Sequence, residues 1–98
     1  MSKKINEKEF NELVLNSKEL VFVDFYADWC GPCKMLSPIM DTISTTHNVY
    51  KVNVDEEEDL ARNYGIMSIP CVILFKDGKE INRSVGLKSK DEILELVK

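Results

Sequence analysis

The run Leu20-Val21-Phe22-Val23-Asp24-Phe25-Tyr26 constrains the fold of this chain more than any other stretch. Apart from one carboxylate it is unbroken apolar, aromatic and β-branched residues, without the polar alternation of a strand wetted on one face. It reads as a strand covered on both faces, the situation of a strand in the middle of a parallel sheet. After Cys30 the period changes: Met35, Leu36, Ile39, Met40 and Ile43 recur at threes and fours, predicting a helix to about Thr45 that Pro38 should kink.

Other segments extend this pattern. Asn6 with Glu9 forms a capping box ahead of Phe10, Leu13 and Val14, so a first helix is expected from about Glu7 to Asn16, with Lys3 to Ile5 as a short edge strand before it. Val49 to Val54 alternates as a second strand, Glu56 to Tyr64 is a short acidic helix, and Cys71 to Phe75 is a third buried strand. Asp77-Gly78 suits a tight primed turn joining Phe75-Lys76 to Lys79-Glu80-Ile81 as a hairpin. Ser89 with Glu92 is a second capping box, opening a helix whose Ile93, Leu94 and Val97 face inward. The order α-β-α-β-α-β-β-α predicts an α/β layer fold with parallel strands and one antiparallel hairpin.

The 98 residues suffice for one core, so residues 1–98 are expected to form a single domain. A hydrophobic fraction of 44% with 31% charged residues excludes disorder as the main state. Thirteen Lys plus Arg against seventeen Asp plus Glu give a net charge of −4, and no basic run exceeds Lys3-Lys4, which argues against nucleic acid as a partner. No apolar stretch approaches the roughly 18–20 residues that cross a bilayer, so no membrane association is expected. The N-terminus turns acidic and polar where a secretory signal needs an apolar core, and a cytoplasmic location is expected. Three cysteines, two of them in one Cys-x-x-Cys, do not make a structural disulfide framework. They are there for chemistry or for metal.

Trp29-Cys30-Gly31-Pro32-Cys33-Lys34 falls where the buried strand ends and the helix begins. Unpaired N–H groups and the dipole at a helix N-terminus stabilise an anion, which favours the nucleophilic thiolate of Cys30. Cys33 lies one turn deeper on the same face, close enough to form a disulfide with Cys30 and buried enough to stay protonated until needed. Gly31 is expected to let the chain turn tightly, and Pro32 fits the first helical turn, where its missing N–H costs nothing.

The stretch Val23-Asp24-Phe25-Tyr26-Ala27-Asp28-Trp29-Cys30-Gly31-Pro32-Cys33-Lys34 resembles the active-site segment of the thioredoxin family. Pro38 resembles the family's helix-kinking proline, Lys51 its central-strand lysine, and Tyr64-Gly65-Ile66-Met67-Ser68-Ile69-Pro70 the approach to its cis-proline, while Gly86 fits a glycine near the last helix. The similarity spans Leu20 through Val97. Tyr26 stands where many members carry tryptophan, and Cys71 stands after Pro70 where threonine is usual, which could put a third sulfur near the redox pair. The resemblance implies a mixed sheet of four or five strands with helices on both faces. It implies a protein dithiol–disulfide oxidoreductase that reduces disulfides in cytoplasmic proteins, serving redox homeostasis and electron transport. It also implies a redox-active Cys30–Cys33 disulfide, no cofactor, and recycling by a separate thioredoxin reductase.

Within that reading Cys30 attacks, Cys33 resolves, and Asp24 takes the Cys33 proton. Asp24, flanked by Val23 and Phe25, should be buried, with Lys51 on the neighbouring strand as its charge partner. Trp29, Gly31, Pro32, Ile69, Pro70 and Gly86 would bind substrate, with Trp29 shielding the thiolate and Met67 and Ile69 adding to an apolar rim for an extended segment. Cys71 is read as a small core residue and His47 as a cation at a helix end. The run Asp55-Glu56-Glu57-Glu58-Asp59 is read as a solvated helix N-terminus. A monomer is expected. An oxidant or isomerase of an oxidising compartment fits less well, given Gly31-Pro32 and the absence of a signal. The alternative from another class is a metal-binding module in which Cys30, Cys33 and Cys71 hold zinc or an iron–sulfur cluster, although zinc needs four ligands and the single His47 is the one further Cys or His in the sequence.

Overall fold

The computed structural model describes residues 2–98. Its elements are β1 (Lys3–Lys4), α1 (Glu7–Phe10, continued by a π-helical turn at Asn11–Leu15), β2 (Leu20–Tyr26), α2 (Gly31–Ile43), β3 (Asn48–Asn53), α3 (Glu58–Asn63), β4 (Cys71–Lys76), β5 (Lys79–Val85) and α4 (Lys90–Leu94, tightening to 3-10 geometry at Glu95–Val97). The strands make one five-stranded sheet in the order β1-β3-β2-β4-β5. The pairs β1 with β3 and β3 with β2 are parallel, while β4 and β5 run antiparallel to their neighbours. This is the mixed α/β architecture expected, with β2 at its centre.

Burial on both faces of β2 follows from its sequence. On one face Val21, Val23 and Phe25 join Phe10, Val14, Val52, Leu60, Cys71, Ile73 and Phe75, packed under α1 and α3. On the other, Phe22 joins Leu36, Met40 and Ile43 of α2, Val72 and Leu74 of β4, and Ile93 of α4. Both expected capping boxes are present, Asn6 with Glu9 and Ser89 with Glu92. Asp77 and Gly78 both have positive φ, 54° and 74°, as a primed hairpin turn requires.

Four local expectations need correction. The first helix does not run as a uniform α-helix to Asn16: its second half widens, and the Asn16 N–H donates five residues back to the Asn11 carbonyl. The widened turn carries the Leu15 backbone against Gly78, where a Cβ would collide with the Leu15 carbonyl. The acidic helix starts at Glu58, because the Asn53 side-chain oxygen accepts from the N–H groups of Asp55 and Glu56 and holds them in a turn. Met35 lies outside the inner stripe of α2 and is 62% exposed, the buried positions being Cys33, Leu36, Met40 and Ile43. The hairpin runs on to Val85 with a bulge, since Leu74 faces Asn82 while Phe75 faces Glu80, leaving Ile81 unmatched.

Candidate active site

In parallel neighbours the carboxyl ends of the strands lie side by side, and the loops that follow β2 and β3 meet there. The first of these loops delivers Cys30 as the N-cap of α2. Its Sγ accepts from the Cys33 N–H at 3.2 Å and is joined to Cys33 Sγ as a disulfide, with Cα atoms 5.2 Å apart. The sulfur thus sits in the field of a 13-residue helix and is hydrogen-bonded by the first turn, which is what stabilises a thiolate once the bond is reduced. Pro32 occupies the first turn as expected. The tight turn expected at Gly31 is absent: Gly31 is helical, and a Cβ there would meet nothing within 4 Å. Cys30 itself makes the turn, in an extended conformation with ψ 110°, so Gly31 serves by leaving the surface beside the sulfur low.

The other substrate-binding candidates gather around the pair. Ile69 packs against Ala27, Cys30 and Cys33, and its carbonyl oxygen lies 3.9 Å from Cys30 Sγ. The Ile69–Pro70 peptide bond is cis. Gly86, at φ 94°, donates its N–H to the Pro70 carbonyl at 2.8 Å, tying the end of β5 to the loop that carries Ile69. Met67 is 95% exposed and Trp29 71% exposed, so Trp29 is a surface aromatic and has no core role. Its indole N–H donates to Asp55 Oδ2 at 2.8 Å. Sequence reading missed this function of Asp55, taking it for part of a solvated helix N-terminus. The available signal was topological: the residue just past β3 had to land beside the loop just past β2.

Asp24 and Lys51 are register partners on adjacent strands. Asp24 is fully buried, and among the described residues no group donates to either carboxylate oxygen. Burial pushes its carboxyl up to about 7, opposed by the Lys51 charge and reinforced by Asp41. Lys51 is the partial charge partner expected, acting on Asp24 through its charge without a hydrogen bond to it. Its Nζ donates to Ser37 Oγ at 3.2 Å and lies 4.4 Å from the centroid of the Tyr26 ring. These groups border a cavity of about 350 Å³ lined by Tyr26, Ala27, Asp28, Cys33, Lys34, Ser37 and Lys51.

Cys71 packs in a different core cluster from the redox pair. It is the register partner of Phe25 and shares that residue's face of the sheet, buried among Phe10, Phe25 and Phe75, whereas the disulfide packs with Ala27 at the strand ends. Burial pushes its thiol up, the opposite of an activated cysteine. The three-thiol metal alternative is not supported, and among the described residues no cluster of three His, Cys, Asp or Glu is arranged to hold a metal. His47 follows α2 with its ring edge-on to Phe22 and its Nδ1 2.8 Å from Thr46 Oγ1.

A dithiol–disulfide pair at the N-terminus of a helix, on a mixed sheet with helices on both faces, defines a disulfide oxidoreductase. The family model described as Thioredoxin matches residues 1–98. A thioredoxin of Chlamydia caviae is 44% identical over 100 residues, covering 99% of this chain and 96% of its relative, and one of Mycobacterium tuberculosis is 44% identical over 95 residues, covering 93% and 82%. Among solved structures, a point-mutant thioredoxin from Halobacterium salinarum NRC-1 superposes with a TM-score of 0.87 at 36% identity, covering 99% of this chain and 91% of its own. The chain belongs to the thioredoxin family, and its Cys30–Cys33 pair is a redox-active disulfide. The family generally works with a thioredoxin reductase and with disulfide-containing substrates. Among the described residues no helix is long and apolar enough to cross a membrane.

Proposed function

We propose that the chain reduces disulfides of cytoplasmic proteins, as a monomer, with Cys30 attacking and Cys33 resolving, and that a thioredoxin reductase recycles it. The carrying observation is the position of Cys30 Sγ at the N-cap of α2, accepting from the Cys33 N–H and lying 3.9 Å from the Ile69 carbonyl oxygen. In the reduced protein the Cys30 thiolate attacks one sulfur of the substrate disulfide. A Cys30–substrate bond forms, the substrate S–S bond breaks, and one substrate thiolate leaves. Asp24 takes the Cys33 proton, directly or through water in the cavity that Cys33 and Lys51 line. The Cys33 thiolate then attacks Cys30 Sγ, the Cys30–Cys33 bond forms, and the second substrate sulfur departs. The substrate gains two electrons and the protein's dithiol supplies them.

Trp29, braced by Asp55, together with Pro32 and Met67 presents the apolar surface on which a substrate segment lies. Ile69 offers its backbone for strand-like pairing, and Gly86 supports the Pro70 carbonyl from behind. Nothing in the charge balance of −4 favours nucleic acid as a partner. Insulin-disulfide reduction with dithiothreitol as electron source tests the assignment. Cys30→Ser and Cys33→Ser are each expected to abolish turnover, and turnover retained in either would overturn it.

A further inference from the structure

Ser37 lies four residues beyond Cys33 on α2, on the same helix face, half-buried at the wall of the cavity that both residues line. Its hydroxyl accepts from Lys51 Nζ at 3.2 Å, and the same ammonium lies 4.4 Å from the centroid of the Tyr26 ring. Lys51 stands opposite Asp24 in the β2–β3 register, and successive pairing puts both side chains on the sheet face that α2 covers. A lysine so placed, beside a carboxylate with no donor on either oxygen, would ordinarily turn to it. Here two groups hold it elsewhere. We propose that Ser37, with Tyr26, is a positioning residue that anchors the Lys51 ammonium to the cavity wall and keeps it from closing on Asp24.

The groups facing Asp24 support this reading. From β3 there is Lys51 and from α2 there is Asp41, while β4 presents Val72 opposite Asp24, then Leu74, with Lys76 of the same face at the far end of the strand opposite Leu20. Asp41 is held by the Ser2 N–H and hydroxyl, each 3.0 Å from its Oδ1, so Lys51 is the charge of the group that loss of the Ser37 hydroxyl would release. A four-carbon stem lets the ammonium swing by several ångströms, and the energy of a charge pair at these separations changes steeply with distance. Removing the Ser37 hydroxyl leaves the Tyr26 ring, a weaker anchor alone. Lysine then moves toward the carboxylate and favours its ionised form. The hydroxyl thus serves as a spacer between an acid and its nearest cation.

This inference rests on the proposed role of Asp24 as the proton acceptor for Cys33, and the test separates the two. The Asp24 side-chain carboxyl is followed by carbon NMR against pH in the oxidised protein, where the disulfide removes Cys30 and Cys33 from the titration. Ser37→Ala, a substitution helices favour, is expected to lower the Asp24 midpoint by about half a unit to one unit. Ser37→Thr, which keeps a hydroxyl, should restore it, and in a Lys51→Met background Ser37→Ala should shift nothing. An unchanged or raised midpoint in Ser37→Ala would overturn the proposal, as would the same shift in the absence of Lys51. The pH profile of mixed-disulfide resolution is recorded on the same variants. A midpoint that falls by NMR while the profile stays in place supports the anchoring by Ser37 and contradicts Asp24 as the base.

Discussion

Asp24 shows how a single buried residue ties stability to pH. Burial raises its carboxyl to about 7 in the folded protein, so the folded state binds a proton there that the unfolded state has already released. The stability this protonated form supports is complete below about pH 4, where both states hold the proton, and is lost as pH climbs through about 7. Asp24→Asn removes the dependence. Its advantage over the native chain in denaturant melts should grow from pH 4 to pH 7 and level off at about 1–3 kcal/mol above that, with resolution of the mixed disulfide slowed. Equal stability of the two proteins at pH 8 would contradict the account. Burial of Asp24 was legible because one acid interrupts an unbroken apolar run. The tether of Lys51 to Ser37 and the Trp29–Asp55 hydrogen bond were not, since each joins residues of different elements that only the parallel β2–β3 pairing brings together. Cys71 faces away from the redox pair with a thiol pushed up by burial, so Cys71→Ala should keep insulin reduction within about twofold of the native rate while losing on the order of 1 kcal/mol of stability. Abolished turnover in a folded Cys71→Ala protein would show that the third sulfur takes part.

At the scale of elements, order and type were written in periodicity and caps, whereas boundaries were set by contacts far along the chain. Apolar spacing from Leu36 to Ile43 announced α2, and the Ser89–Glu92 and Asn6–Glu9 pairs announced two helix starts. The π-helical widening at Asn11–Leu15 had no local signal, because the hairpin turn packed against its last residue is more than sixty positions away. Asp77-Gly78 was readable as a turn, but its second duty, close approach to the Leu15 carbonyl, was not. Gly78 has φ 74° and no room for a Cβ, so both backbone conformation and packing exclude other residues. Gly78→Ala should therefore cost about 1–3 kcal/mol, measured by urea melts, and leave the redox potential unchanged. A cost below a few tenths of a kcal/mol would mean that the hairpin and the widened turn separate freely. The bulge that leaves Ile81 unmatched is likewise a property of strand pairing and not of the β5 sequence alone.

Taken whole, the molecule uses its two sheet faces differently. Under α1 and α3 it packs a core with Cys71 inside it. Under α2 it places the buried acid, the tethered lysine and a cavity that reaches Cys33. The disulfide, the exposed Trp29 that precedes it and the Ile69 carbonyl collect at the strand ends above that face. Such an arrangement separates two sulfurs that look alike in the sequence and are almost equally buried: Cys30 caps the helix beside the Ile69 carbonyl, while Cys33 lies one turn inward beside the cavity. That asymmetry is the central claim, and trapping tests it most directly. Reduced Cys33→Ser and Cys30→Ser proteins are each mixed with a disulfide-containing protein, quenched with acid and mapped by mass spectrometry. Cys33→Ser should accumulate a mixed disulfide through Cys30, and Cys30→Ser should trap none through Cys33; adducts at Cys33 in the second protein, with none at Cys30 in the first, would contradict the account.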